Sequence, residues 1–363
     1  MARKTVMSGM RATGRLHLGN YWGALKNWVV MQDEHDCFFS VADLHMFTTG
    51  YEESGRLQEH VREMVLDWLT AGLDPERCTI FQQSRVPQHA ELALLLSMVT
   101  PISWLENNPT YKEQLQELGR TKLSKALEEK QGVFSKVNRE KIAGQELEEI
   151  GIDEEKTRRE LRTHGFLGYP VLQTADIALY DAHYVPVGQD QLPHIEISRE
   201  IVRRFNSIYG EILIEPDAKV TPTPKVPGID ARKMSKSYGN SVDLFESAET
   251  LKQKVMEMYT DPTKARAKDP GHPEGCVVFA MHQLYSDFAA RREEECRAGA
   301  LGCVACKKDV LRSMAPTFAE FRRNREKFDQ PGLVEEMLER GSSRAEETAE
   351  RTMCRVRKAM NLR

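Results

Sequence analysis

The chain has 363 residues, 40% of them apolar and 29% charged, which suffices for one large domain and a smaller one with a core in each. It has no run near the roughly 18 apolar residues of a membrane span, and its start lacks the apolar stretch of a signal peptide, so a cytoplasmic protein with no membrane partner is expected. A formal net charge of −4 argues against indiscriminate nucleic-acid binding, so an RNA partner requires a local basic surface.

The first strand-like run is Thr5 to Met10. It leads into Thr13-Gly14-Arg15-Leu16-His17-Leu18-Gly19-Asn20, which opens a helical pattern over 18–33. Glycines there let the backbone approach a phosphate, while His17 and Asn20 offer polar atoms at the helix start. Strand-like runs at Cys37 to Ala42 and Cys78 to Gln82 are followed by helical patterns at 54–72 and 89–99. This alternation predicts a parallel, doubly wound sheet with ligands at the carboxyl ends of its strands, where the glycine-rich turn falls. Residues 112–164 break the rhythm with dense Lys, Glu and Arg and leucines at helical spacing, and read as an inserted, solvent-exposed helical pair.

Tyr169, Gln173 and Asp176 follow, spaced to share one face of an otherwise apolar helix. Polar side chains in such a place are costly to bury unpartnered, so they are expected to face a polar ligand or each other. A short strand at Tyr184 to Val187 runs into Gly188-Gln189-Asp190-Gln191 and a helix reaching Phe205. Lys233-Met234-Ser235-Lys236-Ser237 forms a loop with two ammonium groups, suited to neutralising phosphate. Residues 245–363 lose strand signals and read as helical. Their last part is rich in Lys and Arg, at Lys307-Lys308, Arg322-Arg323-Asn324-Arg325 and Arg355-Val356-Arg357-Lys358, which reads either as an RNA-facing surface or as the solvated faces of amphipathic helices.

Seven cysteines in such a chain argue against a disulfide framework. Cys37, Cys78 and Cys354 are scattered and read as apolar fillers. Cys276, Cys296, Cys303 and Cys306 are clustered, and Cys303 and Cys306 form a close pair. An all-thiolate set suits tetrahedral zinc or an iron–sulfur cluster, and spacing does not separate these from four unligated thiols.

The glycine-rich turn and the lysine loop, in this order, resemble the two signature motifs of class I aminoacyl-tRNA synthetases. The loop matches letter for letter; the turn departs at Asn20, where most members have histidine, a variant of the tryptophan and tyrosine branch. Ala42-Asp43-Leu44-His45, Asn108-Pro109-Thr110-Tyr111-Lys112-Glu113 and Val185-Pro186-Val187-Gly188-Gln189-Asp190-Gln191 are similar to tryptophanyl sequences. The resemblance covers most of the chain except the insertion. It implies an α/β, Rossmann-like catalytic domain over 1–244, carrying the 112–164 insertion and the 233–237 loop, and an all-α anticodon-binding domain over 245–363.

The implied activity is that of a tryptophan–tRNA ligase. It would join L-tryptophan and Mg²⁺-ATP into tryptophanyl-adenylate and pyrophosphate, then pass the amino acid to the 3′ end of tRNA(Trp), in a homodimer. By the same resemblance His17, Asn20, Lys233 and Lys236 are catalytic. Arg11, Ala12, Thr13, Gly19, Lys112, Gly188, Gln189, Asp190, Val226, Met234, Ser235 and Ser237 join them around ATP. Met7, Tyr169, Gln173, Asp176, Val187 and Gln191 are assigned to tryptophan, with Asp176 accepting the indole N–H. Tyrosyl enzymes share the Tyr-x-x-x-Gln-x-x-Asp triad, so the triad alone leaves a tyrosyl-tRNA synthetase open beside a non-catalytic, synthetase-derived RNA-binding protein. Some bacterial tryptophanyl enzymes carry a four-iron four-sulfur cluster near the C-terminus. Pro273-Glu274-Gly275-Cys276 and Gly302-Cys303-Val304-Ala305-Cys306-Lys307-Lys308 resemble that subset, which implies such a cluster on the four cysteines, with zinc as the alternative.

Overall fold

A computed structural model describes residues 3–109, 111–113, 115, 162–220 and 226–362. The greater part of the expected insertion lies outside the described residues. Five parallel strands form one sheet in the order β3-β2-β1-β4-β5: β1 Thr5–Arg11, β2 Asp36–Ala42, β3 Thr79–Gln82, β4 Tyr184–Val187 and β5 Asp217–Val220. β1 and β2 align from Thr5 opposite Asp36 to Arg11 opposite Ala42, whereas β1 meets β4 only at Val6 and Tyr184. The strand order therefore reverses beside β1, and the crevice between the carboxyl ends of β1 and β4 is where a doubly wound sheet takes its ligand.

Alternate residues of the strands feed two cores. Val6, Cys37, Phe39, Val41 and Ile80 face one cluster; Met7, Phe38 and Phe81 face the other, as the two-residue period of a strand dictates when both faces are covered. The helix after β1 is split into α1 Leu18–Asn20, a π-turn Tyr21–Leu25 and α2 Lys26–Met31. With α4 (Leu57–Thr70) it packs on the first cluster, after the short α3 (Asp43–Gly50). The second cluster takes α5 (Gln88–Ser97), α7 (His164–Ala178) and α8 (Leu192–Tyr209), with α6 (Ile102–Asn107) beside them. α7 begins where the Thr163 hydroxyl accepts the Phe166 N–H at 3.1 Å.

The C-terminal helices are α9 Ala248–Glu257, α10 Val277–Tyr285, α11 Ala289–Arg297, α12 Cys303–Phe328 and α13 Leu333–Ala359. Of these helices, α13 packs against the sheet. That helix runs back along the open edge of β3. A Cβ on Gly341 would overlap the Ile80 carbonyl oxygen and stand 2.9 Å from its carbon, and the Ser342 hydroxyl accepts the Gln82 N–H at 3.4 Å. Gly341, Ser342, Ala345 and Ala349 are buried on this face, so small side chains let the helix seal an edge that would otherwise be open. β5 was not anticipated because Asp217-Ala-Lys-Val has no apolar run; it is an edge strand paired only with β4. Among the described residues no helix is long and apolar enough to cross a membrane.

Candidate active site

The turn after β1 is held from three sides. Gly14 adopts a φ of 82°, and the His17 N–H donates to Asn20 Oδ1 at 3.1 Å. A Cβ on Gly19 would come within 2.9 Å of the His17 ring, so glycine is what lets the imidazole lie against the helix start. Burial, with the Lys236 ammonium nearby, lowers the His17 pKa to about 4. The ring is thus neutral near pH 7 and works as a hydrogen-bonding group, and its buried Nδ1 has no partner among the described residues.

The lysine loop closes on this turn. Lys236 Nζ donates to the Thr13 carbonyl at 2.8 Å, and burial lowers the ammonium's pKa. Behind the loop, Leu18 N–H bonds Val242 O at 2.9 Å and Leu244 N–H bonds Leu16 O at 3.1 Å, which welds 242–244 to the first signature segment. Lys233 is exposed, whereas Met234 is buried in the core. His17, Gly19, Asn20, Gln189, Val226, Lys233 and Met234 all border one open cleft of about 1810 Å³. That cleft extends to Pro273, Glu274, Gly275 and Cys276, so the first cysteine lies on its far wall.

Next to it, at the β1–β4 crevice, is a cavity of about 500 Å³. All six residues assigned to the amino acid line it: Met7, Tyr169, Gln173, Asp176, Val187 and Gln191. Arg11 and Gly188 line it as well, rather than the cleft. Burial pushes the Tyr169 hydroxyl well above its ordinary pKa, and the group lies 3.3 Å from the His194 ring.

Asp176 is the centre of a network that the sequence did not reveal. Oδ1 takes bonds from Gln83 Nε2 at 2.8 Å and His89 Nδ1 at 2.6 Å, and Oδ2 from Gln83 Nε2 at 2.9 Å and His45 Nε2 at 2.9 Å. His89 Nε2 lies 2.8 Å from the Tyr180 hydroxyl. Burial works to raise the Asp176 carboxyl, but His89 and His45 together hold it well below the usual carboxylate range. An ionised carboxylate only accepts, so the ring nitrogens of His45 and His89 that face it carry protons. The lone pairs of Asp176 are thus already engaged, and His45, bonded to Oδ2, also lines the cavity. His45 stands in a segment singled out for its resemblance. His89 and Gln83 carry no local signal, and meet Asp176 only through tertiary packing.

Several assigned residues stand elsewhere. Ala12 is fully buried and borders neither space, and Thr13 takes part through its carbonyl. Ser235 donates its N–H to Asn240 at 2.8 Å. Lys112 is exposed and lines neither cavity. The side chains of Asp190 and Ser237 lie outside the described atoms.

Cys276, Cys296, Cys303 and Cys306 line one apolar pocket of about 30 Å³, with Lys264 and Arg292 among its other walls. Burial raises the thiols of Cys276 and Cys296 and takes Cys306 up to about 12. Among the described residues no three His, Cys, Asp or Glu side chains converge closely enough to form a metal-ligand group. The donor chemistry fits a thiolate-bound centre.

The basic clusters near the C-terminus are largely tied down. Arg322 donates to the Glu246 carbonyl, Lys307 to the Met256 carbonyl, Arg325 to Asp67 and Glu63, Arg355 to Asp181, and Arg357 to Glu91 and Glu350. Lys308, Arg323 and Lys358 are exposed.

A family profile described as tRNA synthetases class I (W and Y) matches residues 2–132 and 148–319. The chain belongs to this family of class I tRNA synthetases. Within it, the chain is 46% identical to the tryptophan–tRNA ligase of Aquifex aeolicus, over 98% of this chain and 99% of the relative. It is 43% identical to that of Thermotoga maritima, again over 98% and 99%. Among solved structures it resembles the tryptophanyl-tRNA synthetase of Campylobacter jejuni complexed with ADP and tryptophan, with a TM-score of 0.77 and 29% identity over 99% of this chain and 100% of that one.

Proposed function

We propose that this synthetase is a tryptophan–tRNA ligase whose adenylation centre lies across the two adjoining spaces. The observation that carries the reading is the junction of the two signature segments, with Lys236 bonded to Thr13, His17 and Lys233 on one cleft, and Asp176 in the neighbouring cavity. Tryptophan occupies the smaller cavity. Met7 and Val187 supply apolar walls, Asp176 takes the indole N–H beside His45, and Tyr169, Gln173 and Gln191 hold the amino acid. Mg²⁺-ATP lies in the cleft, against Thr13, Gly19, Gln189 and Asp190, with Val226 toward the base, and reaches Arg11 and Gly188 where the cleft adjoins the smaller cavity.

The substrate carboxylate attacks the α-phosphorus and pyrophosphate departs; a ribose hydroxyl of tRNA(Trp) then takes the acyl group. Neither step needs a covalent enzyme intermediate, so the residues act by placement and charge. Lys233 and Lys236 neutralise the leaving pyrophosphate, Ser235 and Ser237 add hydrogen bonds, and neutral His17 with Asn20 stabilises the phosphate oxygens without adding charge. Reading one donor at Asp176 gives strong discrimination, because a site built for an N–H or O–H rejects an analogue lacking it by roughly 10⁴ to 10⁵.

Three finer assignments accompany this reading. Exposed Leu94, Met98 and Ile102 form an apolar surface on α5 and α6 that suits a homodimer interface. The helices over 245–328, with exposed Lys308 and Arg323, suit the tRNA. The four cysteines hold a four-iron four-sulfur cluster, or else zinc; the centre would brace the α10–α12 helices and takes no electrons in the reaction. Their shared apolar pocket supports that assignment, and anaerobic absorption with iron and sulfide analysis tests it, a colourless zinc-loaded protein refuting the iron form.

The test of function is ATP–pyrophosphate exchange with tryptophan and tyrosine in parallel. Exchange with tryptophan alone supports the assignment. Exchange with tyrosine alone transfers Asp176 to a phenol, and silence with both rejects catalysis.

A further inference from the structure

Asn240 follows the lysine loop and borders neither cavity, yet its side chain is almost entirely buried, at 2% exposure. Its Oδ1 accepts the Ser235 N–H at 2.8 Å, and its Nδ2 donates to Asp230 Oδ1 at 2.7 Å and to the Lys233 carbonyl at 3.1 Å. Its own carbonyl accepts the Ile229 N–H at 3.0 Å. One amide thus bonds the main chain on both sides of Met234 and the turn that precedes it. The turn is shaped to receive it: a Cβ on Gly228 would overlap Asn240, and Ala231 adopts a φ of 69° that a non-glycine residue rarely takes. Pro227 and Lys233 bridge as an antiparallel pair, so 227–233 is a tight hairpin with the amide packed across it.

We propose that Asn240 is the positioning residue of the lysine loop. It sets the main chain at Lys233 and Ser235 so that Lys233 is presented to the cleft and Lys236 reaches Thr13. Asparagine is suited to this because the task needs one acceptor and two donations from a single buried side chain. Aspartate has the acceptor but would set a carboxylate against Asp230 and the Lys233 carbonyl; alanine has neither function. Burial works to raise the Asp230 carboxyl, yet the bonds from Asn240 and Arg232 hold it below its ordinary value, which marks it as the ionised partner in this pair.

The inference rests on the adenylation reading above, and the experiment separates the two. Tryptophan-dependent ATP–pyrophosphate exchange is measured in the full-length wild type, N240A, N240D, D230N and the D230N/N240D double variant, with the thermal midpoint of each. N240A is expected to lower kcat by about tenfold to a hundredfold, since small displacements of catalytic groups have effects of that size. The KM for tryptophan should stay within about twofold, because none of the described side chains of 226–240 lines the amino-acid cavity. N240D should lose at least as much, D230N little, and the double variant should regain about half of the N240D loss on a logarithmic scale, because an amide at 230 can again donate to a carboxylate at 240. A silent wild type overturns the functional reading and this one with it. An active wild type overturns this inference alone if N240A turns over at its rate, if kcat loss comes with an equal rise in the KM for tryptophan, or if the double variant is no better than N240D.

Discussion

Replacing Arg325 by methionine should destabilise the protein by an amount that depends strongly on pH. Asp67 on α4 is fully buried, with its carboxylate between the Leu16 N–H at 2.5 Å and Arg325 Nη1 of α12 at 2.6 Å. Arg325 also pairs with Glu63 and stacks over the Phe245 ring, 4.7 Å from its centroid. One guanidinium thereby joins the C-terminal helices to the backbone of the first signature segment. Burial pushes the Asp67 carboxyl from its ordinary 3.8 up to about 7, even with Leu16 and Arg325 pulling it down. Its folded value exceeds its unfolded one, so the stability from this group is complete below about pH 4 and is lost as the pH rises toward 7. Above that the carboxylate is charged, and Arg325 is the cation it depends on.

Removing one partner of a buried ion pair costs about 3–5 kcal/mol when the other stays charged. At pH 8, R325M should therefore lose about that much in urea unfolding followed by circular dichroism. At pH 6 Asp67 keeps its proton, and the loss should shrink to about 1–2 kcal/mol, the scale of missing hydrogen bonds. The double variant D67N/R325M should recover most of the pH 8 loss, because no buried charge is left behind. Equal losses at the two pH values, or a double variant no more stable than R325M, would refute the reasoning.

G341A should destabilise by about 2 kcal/mol or more, since the added methyl drives α13 off β3, whereas S343A, on the exposed side of the same helix, should be neutral or slightly stabilising in the same unfolding assay. H89L removes the imidazole bonded to the Tyr180 hydroxyl and one bond to the Asp176 carboxylate, so the KM for tryptophan should rise roughly tenfold in pyrophosphate exchange while the KM for ATP changes little. A231G relieves a left-handed alanine in the hairpin and should raise stability by about 1 kcal/mol, a gain that calorimetry resolves. A larger loss than gain there would show that the alanine methyl has a packing role.

The sheet strands β1 to β4, the helix bearing Tyr169, Gln173 and Asp176, and both signature segments were legible in the chain because each is encoded over a few neighbouring residues. Strand alternation and helical spacing are local signals, and so is a glycine beside a histidine at a helix start. What a side chain bonds at a distance is not encoded that way. Asp176 was readable as a buried polar group in need of a partner, but His45, Gln83 and His89 arrive from α3, the turn after β3 and α5 only when the sheet has formed. Arg322 and Arg325 looked like one basic patch; folding turns both inward, because Glu246, Glu63 and Asp67 are brought opposite them from more than seventy residues away. The small residues of α13 acquire their purpose only against the open edge of β3. Residue type and local period thus determined which chemistry the chain carries. Tertiary structure decided which groups share a dielectric environment, and so which carboxylates stay charged and which helices can approach a strand.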